Sequence, residues 1–188
     1  MSRGAKFAIG IGVVVLVLYF LLAGPYNTVV RLDEAVGKAQ SDAEVTLQRR
    51  LDLIPNLVET VKGYSIHERE TLEAVVKARQ QGAQAATMEQ KVQASQELTS
   101  ALSRLMVVVE RYPDLKANQN FRALQDQLEG TENRIAVART RYNTSVQEYN
   151  QGIRSFPTVI LASMMGFQPK QGFAAQAQAK EAPKVQFK

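Results

Sequence analysis

Between Asn118 and Phe156 the chain reads NQNFRALQDQLEGTENRIAVARTRYNTSVQEYNQGIRSF. Large side chains recur in it at a strict interval of seven, as Phe121, Leu128, Ile135, Tyr142, Tyr149 and Phe156. The positions three further on are Leu124, Thr131, Ala138, Ser145 and Gly152, so large residues face small ones along one seam. A seven-residue repeat is slightly shorter than two turns of an undistorted α-helix. It therefore predicts a helix with left-handed, coiled-coil-like packing against its neighbours. From Asn118 to Ser155 that helix would be about 57 Å long at roughly 1.5 Å per residue. Gly130 and Gly152 each weaken it locally by about 1 kcal/mol relative to alanine, and both read as sites of close helix packing.

Three further helical stretches precede it. From about Thr87 to Arg111, Leu98, Leu102, Leu105, Val109 and Tyr112 step by four, three, four and three, as one face of a helix does. Pro113 ends that stretch, because proline disfavours the helical conformation of the residue before it. The connection from Tyr112 to Asn118 is short and implies an antiparallel turn. A helix from about His67 to Gln81 carries Leu72, Val75, Val76 and Arg79, with a loop from Gly82 to Thr87. The first stretch carries Val29, Leu32, Val36, Ala43, Leu47, Leu51, Ile54, Val58 and Val61 on one face and breaks near Gly63 to Ser65. Pro55 lies inside it, removes an amide donor and predicts a kink near Leu51. Four such helices imply an all-α fold, an antiparallel four-helix bundle with long helices.

Ahead of the bundle, Phe7 to Ala23 reads FAIGIGVVVLVLYFLLA, without a charge or an amide. A spanning helix needs about 20 apolar residues, with about 17 the practical minimum. A cleaved secretory signal has a shorter apolar core of about 7 to 15 residues, so the run reads as an uncleaved, single-pass transmembrane anchor with Tyr19 as an interfacial side chain. Leu22-Ala23-Gly24 resembles the start of a lipoprotein cleavage box, but Pro25 stands where the lipid-bearing cysteine would be. Arg3, Lys6 and the amino terminus on one flank, against Arg31 and Lys38 on the other, lean toward a cytoplasmic amino terminus. The expected place is the bacterial inner membrane, with the large domain outside it.

The 188 residues are 45% hydrophobic and 22% charged, enough to bury a core and too apolar for disorder. The net charge of +5 comes from the two ends, and residues 26–166 hold 17 basic and 17 acidic side chains. Nucleic-acid binding needs a clustered basic surface to displace counterions, so that partner is not expected. With no cysteine there is no disulfide, thiolate zinc site or thiol nucleophile. His67-Glu68-Arg69-Glu70-Thr71 begins like the zinc-protease motif, but its second histidine would be residue 71, a threonine. Glu59, Glu68, Glu70 and Glu73 lack the histidine-bearing pattern of a di-iron bundle. The expectation is a protein with no catalytic residue, metal or cofactor.

Two asparagines stand out, since Tyr142-Asn143 and Tyr149-Asn150 repeat seven residues apart. With both tyrosines on the seam, Asn143 and Asn150 are expected to hydrogen-bond to neighbouring helices and fix the bundle register. Arg49 and Arg50 beside Asp52 read as an ion-pair cluster rather than an anion site.

Several long words in the chain resemble the LemA family. They are QRRLDLIPNLVETVKGY from Gln48 to Tyr64, His67-Glu68, YPDLKAN from Tyr112, Phe121, LEGTENRIAVAR from Leu128, the two Tyr-Asn pairs, Phe156-Pro157 and the final PKVQF. The resemblance implies a bacterial, membrane-associated helical bundle with no established enzymatic activity. Some relatives carry a lipobox cysteine, from which this chain departs at Pro25.

The expected organisation is an anchor over residues 1–25, the bundle over 26–157, a short apolar helix over 158–166 and a flexible tail over 167–188. Pro157 stops the long helix and Thr158 can cap the next. The uncharged run that follows, with Val159, Ile160, Leu161, Met164 and Met165, is the expected self-association contact of a homo-oligomer. The leading functional reading is a membrane-anchored, non-catalytic scaffold of the bacterial envelope, its partners the lipid bilayer, other copies and an envelope protein not identified. The alternative is an accessory or regulatory subunit of a membrane protease or transporter.

Overall fold

The computed structural model describes residues 3–64 and 68–173. Among them every regular element is a helix: α1 (Arg3–Lys62), α2 (Arg69–Gln84), α3 (Met88–Val109), α4 (Pro113–Ala117), α5 (Gln119–Arg154) and α6 (Thr158–Met165). The all-α expectation is met. Two bounds depart from it at prolines. α3 stops at Val109, and Pro113 opens α4, where its missing N–H costs nothing. Thr158 is the first residue of α6 and is buried, rather than its cap. Thr87 does cap α3, its hydroxyl accepting from the Gln90 amide while the Gln90 side chain accepts from the Thr87 amide.

α1 runs through Pro55 without a break. The ring removes the amide that would bind the Leu51 carbonyl, and the Arg79 Nε–H donates to that carbonyl instead, at 3.1 Å. The kink expected near Leu51 rests on that lost bond and on the ring's clash with the same carbonyl, which the missing amide leaves in need of a partner. A side chain from α2 supplies its donor.

The described residues pack as two units, Gln40–Thr140 and the pair of segments Met1–Ala39 with Arg141–Lys188. In Gln40–Thr140 one core joins Ile54, Leu57 and Val61 of α1, Leu72 and Val75 of α2, Leu98 and Leu105 of α3, Leu115 of α4, and Phe121 and Leu128 of α5. Gly82 on α2 lies so close to Leu51 that a β-carbon would stand 2.9 Å from Leu51 Cδ2.

In the other unit a smaller core joins Val29 and Val36 of α1, Tyr142, Val146, Tyr149 and Ile153 of α5, and Ala162 of α6. At Gly152 a β-carbon would collide with the Leu32 side chain, as a close-packing site requires. Gly130 differs, because a β-carbon there would meet nothing within 4 Å. Gly166, with φ of 77°, adopts the left-handed conformation that favours glycine and reverses the chain after α6.

Candidate functional site

The first candidate is the apolar stretch of α1. Its large apolar side chains from Phe7 to Leu22 that are described lie between 48% and 73% exposed. Soluble surfaces rarely carry so large a continuous apolar area. A helix of this length and apolarity is long enough to cross a bilayer.

The second is a buried arginine in Gln40–Thr140. Arg50 is only 4% exposed; its Nη1 lies 2.6 Å from Glu132 Oε2 and donates to Ser95 Oγ at 3.1 Å. Burial pulls its pKa down, and the Glu132 carboxylate opposes that shift. The sequence pointed to Asp52 as its counter-ion. On the helix Asp52 instead accepts from Gln48, one turn away at 2.7 Å. A cleft of about 240 Å³ borders this site, lined by Glu44, Gln48, Arg50, Lys91 and Ser95 among others. Its charges are matched in pairs, since Lys91 Nζ lies 3.4 Å from Glu44 Oε2. The Glu44 carboxyl is held below its ordinary pKa first by the Gln40 amide and then by Lys91, against desolvation. With each cation already matched, the cluster works as a polar lock between α1, α3 and α5.

A third is an open groove of about 500 Å³ between α1 and α2, lined by Val58, Leu72 and Val76 with Lys62, Arg69, Glu73 and Lys77. Arg69 and Glu73 pair along the exposed face of α2 at 2.6 Å. Glu59 pairs with Lys62, and Glu68 accepts from Arg111 and Tyr112. The four glutamates named from the sequence therefore form no converging set. Among the described residues no group of three or more His, Cys, Asp or Glu is placed to hold a metal ion. His67 lies outside the described residues.

Asn143 and Asn150 hold something other than a neighbouring helix. Asn150 Nδ2 donates to the Lys170 carbonyl at 2.7 Å, and its Oδ1 accepts from the Lys170 amide at 2.8 Å. Asn143 treats Phe173 the same way, accepting from its amide at 2.7 Å and donating to its carbonyl at 3.3 Å. Each amide thus gives the segment's backbone a donor and an acceptor together, as a neighbouring peptide unit would. The expected register role is replaced by this clamp. A carboxamide carries a donor and an acceptor side by side, as a peptide unit does. Tyr142 adds a bond to the Gln171 carbonyl and packs its ring 4.6 Å from that of Phe173. Lys170 Nζ reaches Asp33 at 2.6 Å and stands over the Tyr149 ring. Burial raises the Tyr149 pKa, with the Asp33 carboxylate adding to it. Residues 167–173, expected within a flexible tail, are therefore pinned to α5. The strand-like Val185 and Phe187 lie outside the described residues.

The residues expected to self-associate sit on α6. Val159, Ile160, Met164 and Met165 are exposed and Leu161 is half-buried, while Thr158 and Ala162 face the core.

The chain is similar to magnetosome protein MamQ 2 of Paramagnetospirillum magneticum, 28% identical over 201 residues that cover 92% of this chain and 74% of the relative. It is 28% identical over 195 residues to magnetosome protein MamQ of Magnetospirillum gryphiswaldense, covering 89% and 72%. Protein LemA of Metamycoplasma hominis is 24% identical over 150 residues, covering 79% and 68%. The sequence pattern of the LemA family matches residues 39–187, and with that span the chain belongs to the LemA family.

Proposed function

We propose that this LemA-family chain is a membrane-tethered, non-catalytic helical scaffold of the bacterial envelope that self-associates in the plane of the membrane. The observation that supports it most is the exposed apolar sleeve of α1, which continues without interruption into the packed helical core. Tethering in one plane raises the local concentration of copies and fixes their orientation, so that modest lateral contacts suffice for assembly. The relatives' names, magnetosome protein and Protein LemA, denote no reaction. Among the described residues, the charged clusters are internally matched and converge on no common point.

Mass measurement of the protein released in mild detergent, combined with affinity capture, tests this reading. The expected result is a mass of two or more copies with no stoichiometric foreign protein. A monomer that captures one defined membrane protease or transporter would replace the scaffold by an accessory subunit. In this reading the tethered domain lies outside the inner membrane, which the basic residues ahead of the apolar run support. A reporter active only in the cytoplasm, fused after Lys188, is expected to be silent; activity would reverse the topology.

A further inference from the structure

α6 and the residue two before it carry an apolar face that nothing among the described residues covers. Phe156 is 82% exposed and Met164 78%, with Ile160 and Met165 each 55% exposed. Four neighbouring side chains of this kind form the sort of patch that water-facing surfaces avoid unless something binds there.

The height of the patch identifies the occupant. Within this unit α5 returns along α1 toward the apolar span, with Gly152 against Leu32, and Ala162 of α6 shares a core with Val29. After Gly166 the chain turns back, reaching Asn150 with Lys170 and Asn143 with Phe173. α6 therefore occupies the end of the unit nearest the span. Val29 follows Ala23 by six residues, about 9 Å along the helix axis. The headgroup layer adds roughly 5 to 7 Å beyond the hydrocarbon on each side, and interfacial helices sink their apolar face about 5 to 10 Å into that boundary. The levels coincide.

Charge agrees with the same occupant. From Tyr149 through Lys180 the chain has no Asp or Glu, while Arg154 and Lys170 lie in that stretch. Arg154 closes α5 with its side chain exposed, just before the patch. A bilayer with anionic lipid fits such a surface, because the exposed Arg154 beside the patch is attracted to the headgroups, while Lys170 is already matched by Asp33.

We infer that α6 is an interfacial helix whose Phe156, Ile160, Met164 and Met165 dip into the lipid surface beside the point where α1 emerges. The inference rests on α1 spanning the bilayer. A spanning helix alone leaves its unit free to spin about the membrane normal and to tilt. A second, off-axis contact fixes both, so α6 sets the orientation in which the tethered unit meets its neighbours.

The chain has no tryptophan, so one introduced indole reports its own surroundings. Full-length M164W, L16W and V107W are reconstituted at less than one copy per vesicle in phosphatidylcholine with phosphatidylglycerol. The lipids are brominated either near the headgroup or near the bilayer centre. M164W is expected to emit blue-shifted relative to V107W, whose site is 72% exposed, and to be quenched several-fold more strongly by the shallow bromines. L16W is expected to be quenched by the deep ones. I160W replaces M164W if circular dichroism shows a loss of helix. Emission from both α6 probes as water-like as that of V107W, with L16W quenched, overturns the inference alone. An unquenched L16W overturns the spanning reading beneath it. Shielding of M164W only at high protein density assigns the patch to a second copy and also overturns the inference.

Discussion

The core of Gln40–Thr140 is mostly aliphatic, with Phe121 its buried ring and Arg50 its buried charge, and is made of helix faces, whereas the other unit closes around two tyrosines and a non-helical segment of backbone. The first is held by area removed from water, which depends on volume and hardly on direction. The second relies on directional bonds, four from two asparagines and one from Tyr142. The contrast teaches that the two units should fail differently. Truncation should unfold the aliphatic core, and loss of polar partners should open the other unit locally.

The largest effect is expected from Leu105→Ala. Leu105 is fully buried, and such truncations cost about 2 to 5 kcal/mol. Denaturant titration of the purified protein should show that loss, and a change below about 1 kcal/mol would mean that the core is loosely packed. Asn143→Ala with Asn150→Ala should cost about 1 to 3 kcal/mol for the stranded backbone groups, confined to residues 167–173. Hydrogen exchange at the Lys170 and Phe173 amides should accelerate while the amides of α3 keep their protection. Global acceleration would erase the distinction between the units.

Arg79→Met sharpens the comparison, since it introduces one polar vulnerability into the aliphatic core. It leaves the Leu51 carbonyl without its donor beside Pro55 and should cost about 1 to 2 kcal/mol, read by the same titration; an unchanged midpoint would give that carbonyl another donor. The smallest effects come from the glycines of α5 and should have opposite signs. Gly130→Ala meets open space and should raise stability by up to about 1 kcal/mol, whereas Gly152→Ala collides with Leu32 and should lower it. Thermal melts of the two variants check this, and equal shifts would refute the packing assigned to Gly152.

Periodicity made the helices legible because a buried helix face must repeat, so the spacing from Phe121 to Tyr149 fixed α5 and its seam before any coordinates. The apolar run from Phe7 was equally plain, and its length favoured a spanning anchor over a cleaved signal. What periodicity could not reveal were the pairings that join positions far apart in the chain. Arg50 was seen beside Asp52, yet its counter-ion is Glu132, brought close only by the packing of α5 against α1. Arg79 stood on the same stripe as Leu72, Val75 and Val76, and nothing in the spacing pointed to the Leu51 carbonyl that it binds. The Tyr-Asn repeat signalled that the asparagines mattered, but an amide can bond to any backbone. The polar composition after Gly166 hid the backbone segment they hold.

The central claim is that α1 anchors this chain in a bilayer and stays attached. The intact mass of the protein recovered from bacterial membranes after an alkaline wash tests it most directly. The account predicts that the chain remains in the membrane pellet at its full 20.8 kDa. Release into the supernatant, or a shortened chain beginning near Pro25, would contradict it.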